Sequence, residues 1–170
     1  MTEDSVTGVP RRQKLAETTM AIYAAITLLG VIAAASWKGL FVDELELVVI
    51  IIATTVTVAV AHVWAAEAAH RLVASSPLSR AGWVEEGRLA LSVLVVGGLA
   101  IAAFLVATLT DLELAGAVTV TLLMLVAVLF VVGVVGGRRE QRSWPKSLGL
   151  GLIDASIGIV VLLVKVTLGA

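Results

Sequence analysis

The stretch LAGAVTVTLLMLVAVLFVVGVV, residues 114–135, contains no charged side chain and no proline. A helix rises about 1.5 Å per residue, so a helix of this length crosses the roughly 30 Å hydrocarbon core of a bilayer. Helices in the cores of soluble proteins seldom stay apolar over so many consecutive residues. The stretch therefore predicts a transmembrane helix.

Four further apolar stretches of similar length flank this one. The five predicted spans cover residues 19–37, 45–64, 89–109, 112–135 and 148–168. Hydrophobic residues make up 59% of the 170-residue chain and charged residues 15%, and the mean hydropathy is +1.06. We expect an all-α polytopic membrane protein with a cytoplasmic tail over residues 1–17 and one five-helix transmembrane bundle over residues 18–170.

Basic residues are concentrated on one side of the predicted bundle. Ten of the twelve lie near the N-terminus or close to the second and fourth connections: Arg11, Arg12, Lys14, Arg71, Arg80, Arg88, Arg138, Arg139, Arg142 and Lys146. Connections rich in Lys and Arg stay in the cytoplasm, so the N-terminus is predicted to be cytoplasmic and the C-terminus extracytoplasmic. The composition, rich in Ala, Val and Gly and without cysteine, is typical of a bacterial inner-membrane protein.

The composition also excludes several classes of function. A net charge of −1 gives no basic face for nucleic acid, and the absence of cysteine excludes thiolate chemistry and cysteine-ligated metals. The sequence carries no phosphate-binding glycine loop, no His-Glu-x-x-His motif and no Gly-x-Ser-x-Gly motif. We therefore expect no catalytic residues, no cofactor and no resident metal, and we expect the lipid bilayer to be the main partner.

The first two predicted hairpins align with each other at an offset of 67 residues. Residues 44–47 (ELEL) then match residues 111–114 (DLEL), and Gly30 matches Gly97. A true duplication would give two parallel helical-hairpin repeats plus one helix. The equal alternative is that these matches arise by chance, because the chain is rich in Ala, Val and Leu.

Small residues four apart predict close helix packing at several places. They are the pairs Gly30/Ala34, Gly98/Ala102, Gly133/Gly137 and Gly151/Ala155, and the triplet Ala61/Ala65/Ala69. Two of these pairs, Gly133/Gly137 and Gly98/Ala102, are also candidate seams for a homo-oligomer or a membrane protein partner.

Acidic residues dominate the predicted outer loops and are weak candidates for cation binding. They are Asp43, Glu44, Glu46, Asp111 and Glu113. Helix capping is the favoured interpretation, because Asp43-x-x-Glu46 and Thr110-x-x-Glu113 both have cap spacing directly before an apolar run.

Two ionisable residues fall inside predicted spans. Asp154 lies several residues into the fifth span, and His62 lies near the inner end of the second. Their similar depth predicts a His62–Asp154 proton or ion site in the inner leaflet, with a structural hydrogen bond between helices as the alternative. Past Trp64 the helical pattern continues, and Glu67 is predicted to pair with Arg71 or His70.

Two functions are compatible with these features. The leading prediction is a small, non-enzymatic integral membrane protein acting as a structural or accessory component. The competing hypothesis is a small proton- or cation-coupled transporter or channel that uses His62 and Asp154, with the outer acids as a funnel.

Overall fold

The computed structural model describes residues 4–40 and 43–168, and every element in this part of the chain is a helix. The five helices are α1 (Asp4–Trp37), α2 (Glu44–Ala74), α3 (Arg80–Leu109), α4 (Leu114–Arg139) and α5 (Trp144–Leu168). Each is long and apolar enough to cross a membrane. The predicted all-α, five-helix architecture is confirmed.

Consecutive helices run antiparallel, so the connections lie alternately at two ends of the bundle. We call the end with the α2–α3 and α4–α5 connections and the start of α1 the basic end, and the opposite end the acidic end. Several helices extend past the predicted spans at the basic end: α1 begins at Asp4, within the predicted tail, and α2 continues ten residues beyond Trp64. Hydropathy marks the apolar segment, whereas the Glu, Arg and Lys residues that flank it favour helix without being apolar.

Side-chain caps mark the starts of α2 and α3, and the cap of α3 is Ser79, whose hydroxyl accepts a hydrogen bond from the Gly82 amide at 3.1 Å. Asp43 is the N-cap of α2, and its Oδ1 accepts a hydrogen bond from the Glu46 amide at 2.8 Å, as predicted. The predicted cap at Thr110 is wrong. Thr110 instead ends α3, where its hydroxyl donates to the Ala107 carbonyl at 2.8 Å, and Glu113 stands at the N-cap of α4 without a side-chain cap bond.

Each described connection turns through one residue with a positive φ: Gly39, Ser75, Asp111 and Gln141. Asp111, with φ of 56°, turns the chain directly after α3 and so moves the start of α4 beyond Thr110. The 67-residue alignment pairs Asp43 with Thr110, but the structure gives these two residues different roles. The proposed repeat therefore does not extend to the caps.

Helix α1 lies at the centre of the bundle and packs against all four other helices. Its fully buried residues are Ala24, Ala25, Leu28, Leu29 and Ile32. It is the most buried of the five candidate spans. Alanine supplies much of this buried surface, and its small side chain lets several neighbours approach one helix.

The most extensive contact in the bundle joins α4 to α5. A methyl group placed on Gly133 would lie 2.8 Å from the Gly151 Cα and 2.9 Å from the Leu150 carbonyl oxygen. A methyl group on Gly151 would lie 2.7 Å from the Phe130 carbonyl oxygen. The prediction that these small residues allow close packing is confirmed, but Gly133 and Gly137 face α5 and so do not offer a free seam to a second copy.

A second close approach joins α2 to α3. A methyl group on Gly97 would lie 2.9 Å from the Thr55 Cβ and closer still to both of that side chain's outer atoms. The Thr55 hydroxyl donates within its own helix to the Ile51 carbonyl at 2.6 Å. Thr121 bonds to Ala117 in the same way, so both threonines serve as packing groups with internally satisfied hydroxyls.

Candidate functional site: ionisable residues within the bundle

His62 on α2 faces Glu86 on α3 near the basic end. The His62 Nε2 and Glu86 Oε2 atoms lie 2.9 Å apart, and the two side chains are 25% and 21% exposed. Both atoms are shielded from solvent, and the angles of their approach fall outside those of a hydrogen bond. The contact is therefore a close approach of two ionisable groups that links α2 to α3.

Asp154 lies on a different side of the molecule, at the contact between α5 and α4. A methyl group placed on Gly133 would lie 2.6 Å from the Asp154 Oδ2 atom. The side chain is half-buried, and among the described residues it makes no hydrogen bond or ion pair. It stands about 15 Å along the axis from the start of α5, within an apolar segment where a carboxylate is costly.

The structure does not bring His62 and Asp154 together. In place of the predicted contact, His62 pairs with Glu86, and Asp154 lies against the glycine of a neighbouring helix. Depth along the membrane normal predicted that the two residues lie at a similar level, but it holds no information on which helices are neighbours. The sequence signal for Glu86 was its position just before the third apolar span, opposite the end of the second.

Glu67 holds the α2–α3 connection against α2. Its side chain is buried, and its two oxygens accept hydrogen bonds from the Arg71 Nε at 2.6 Å and from the Leu78 amide at 3.0 Å. The predicted Glu67–Arg71 pair is thus confirmed, and the bond to Leu78 is new. His70 assists, with its Nδ1 atom 2.9 Å from the Ser76 carbonyl oxygen. These contacts fix the hairpin that positions His62 opposite Glu86.

The five acids at the acidic end occupy separate structural positions. Asp43 and Glu113 are N-caps, Glu44 and Glu46 lie in the first turn of α2, and Asp111 makes the turn after α3. Among the described residues, no three His, Cys, Asp or Glu side chains converge on a possible metal position. Positions at helix starts and in the turn after α3 explain why acidic residues occur here. The weak cation-binding interpretation gains no geometric support.

An open groove lies between α1 and α3 at the basic end. Its volume is about 500 Å³, and it is lined by Gln13, Arg80, Ala81, Val84, Glu85 and Arg88. It lies on a different face of α3 from Glu86, the residue that contacts His62. The groove combines two cationic side chains with an apolar floor.

Comparison with known proteins finds no matching family model, no matching curated sequence and no matching solved structure.

Proposed function

We propose that the chain is a multi-pass membrane protein acting as a structural or accessory component of the bacterial inner membrane, without enzymatic activity. The observation that carries this proposal is the close packing of the five helices around α1, with connections of only four to six residues. Such connections are too short to form a catalytic domain. The glycine contacts also hold α4 and α5 close together beside Asp154, which leaves little space around this side chain.

The distribution of charge supports a cytoplasmic basic end. Ten of the twelve Lys and Arg residues belong to that end, and this asymmetry supports a cytoplasmic N-terminus and an extracytoplasmic C-terminus. Partners, whether a second copy or another membrane protein, would meet the outward faces of the helices. Gly98 and Ala102 are both exposed on α3 and provide a small-residue face for such a partner.

Ion flux in proteoliposomes tests this proposal. Purified protein is reconstituted with a pH-sensitive dye inside the vesicles, and proton and cation gradients are applied across a panel of ions. We expect the same flux as in protein-free vesicles for every ion. Flux above that background would contradict a purely structural or accessory role.

A proton- or cation-coupled transporter is the second candidate, and the His62–Glu86 contact favours it because ionisable pairs within membrane helices often mark ion pathways. Under this candidate, His62→Ala, Glu86→Gln and Asp154→Asn would each reduce the flux at least about tenfold. Glu85→Gln is the matched control, since Glu85 is the exposed neighbour of Glu86. Equal loss in the control would indicate a general effect of charge and would count against a His62–Glu86 pathway.

A further inference from the structure

The groove between α1 and α3 contains two arginines without an ion-pair partner among the described residues. Arg80 and Arg88 both line it, and both are exposed. Three other arginines at the basic end are engaged: Arg71 binds Glu67, Arg142 binds Glu140, and Arg138 stacks on Trp144. The two groove arginines therefore keep their full hydrogen-bonding capacity for a ligand.

The nearby acids leave this groove with a net positive charge. Glu85 is the acidic residue in its lining, and it forms no ion pair with either arginine. Glu86, the next acid along α3, is directed to His62 instead. Guanidinium groups bind phosphate oxygens through paired, charge-assisted hydrogen bonds, so a phosphate is the anion that a groove arginine would recognise best.

The position of the groove indicates which phosphate it would meet. Arg88 directly precedes the apolar segment that begins at Leu89, and Arg80 lies two helical turns earlier, about 12 Å along the axis. Trp83, half-exposed between them, has the position of an interfacial anchor. The groove thus extends from the edge of the hydrocarbon core through the headgroup layer, with Ala81 and Val84 as an apolar surface alongside.

We propose that this groove binds the headgroup of an anionic phospholipid, with the phosphate on Arg88 and the outer part of the headgroup near Arg80 and Gln13. Val84 and Ala81 flank the headgroup, and the glycerol backbone and first acyl carbons lie on the membrane side of Arg88, alongside the exposed Leu91. The proposal rests on the membrane placement proposed above, and it is independent of whether the chain carries ions. Basic pockets between transmembrane helices are suited to such headgroups, and each basic residue near the surface contributes to anionic-lipid binding.

Lipid titration followed by native mass spectrometry tests the proposal on the full chain in detergent. The probes are phosphatidylglycerol, phosphatidylcholine and chain-free glycerol phosphate. We expect phosphatidylglycerol to bind more tightly than phosphatidylcholine, and Arg80→Gln and Arg88→Gln each to weaken phosphatidylglycerol binding about fivefold. Glycerol phosphate should bind far more weakly than the lipid, because it lacks the acyl chains that lie on the membrane side of Arg88.

Arg139→Gln is the matched control, because Arg139 is exposed at the same end of the bundle, outside the groove. It should leave the affinity for phosphatidylglycerol unchanged. An equal loss in Arg139→Gln would overturn the proposal in favour of general attraction to the basic end. Binding of glycerol phosphate as tight as that of the lipid would assign the groove to a soluble phosphate compound instead. Thermal melting of each variant confirms that both groove substitutions, which are at exposed positions, leave the fold intact.

Discussion

Replacing Gly133 with alanine is expected to lower the free energy of unfolding by about 2–3 kcal/mol. The added methyl group would lie 2.8 Å from the Gly151 Cα and 2.9 Å from the Leu150 carbonyl oxygen, both backbone atoms of α5. Backbone atoms cannot rotate away as a side chain does, so α4 and α5 must separate along their most extensive contact. Reversible unfolding in mixed micelles, with helix content as the signal, measures the change.

Gly136→Ala is the control for this prediction, because it makes the same substitution three residues along the same helix. A methyl group on Gly136 meets no atom within 4 Å. Alanine also has a higher helix propensity, so this variant should be neutral or up to about 1 kcal/mol more stable. If the two variants behaved alike, the close α4–α5 contact would be refuted.

The second large effect is expected at the contact between α2 and α3. Gly97→Ala should lower the free energy of unfolding by about 2 kcal/mol, because its methyl group would overlap the Thr55 side chain and lie 2.9 Å from the Thr55 Cβ. Thr55 is itself buried and its hydroxyl is bonded to Ile51, so it cannot move aside without losing that hydrogen bond. The same unfolding measurement applies.

Two comparisons make this prediction specific. Gly98→Ala changes the adjacent residue, where a methyl group meets nothing within 4 Å, and should not destabilise the protein. Thr55→Ala removes the two atoms closest to the new methyl group, so the double variant Thr55→Ala with Gly97→Ala should be more stable than Gly97→Ala alone. Additive effects in the double variant would show that Thr55 and Gly97 do not contact each other.

The number of helices and their positions along the chain could be predicted from the sequence, because each membrane span is a long run of apolar residues. A charge-free run such as residues 114–135 identifies a span without any knowledge of its neighbours. The positions of the helix ends were harder to predict from the sequence. The cap at Asp43 was predicted correctly, but the same spacing at Thr110 was misleading, because Asp111 adopts a positive φ and delays the start of α4.

The order of the helices in space could not be predicted in the same way. The α1 span is the least apolar of the five, which does not predict a central position, although its many small residues are consistent with contacts on several sides. The partner of His62 depends on this arrangement. Glu86 lies outside the predicted third span, so the sequence does not predict it as an intramembrane group. Asp154 has a depth similar to that of His62, but it lies on a helix that packs against α4 and α1.

Labelling of single cysteines tests most directly whether the basic end of the bundle lies in the cytoplasm, with α4 crossing the membrane between it and the acidic end. The chain has no cysteine, so Thr110→Cys and Ser143→Cys, each at an exposed connection residue, provide one site at either end. In intact cells, a membrane-impermeant maleimide should label Thr110→Cys, and it should label Ser143→Cys only after permeabilisation. Labelling of both positions in intact cells, or of Ser143→Cys alone, would contradict the proposed topology.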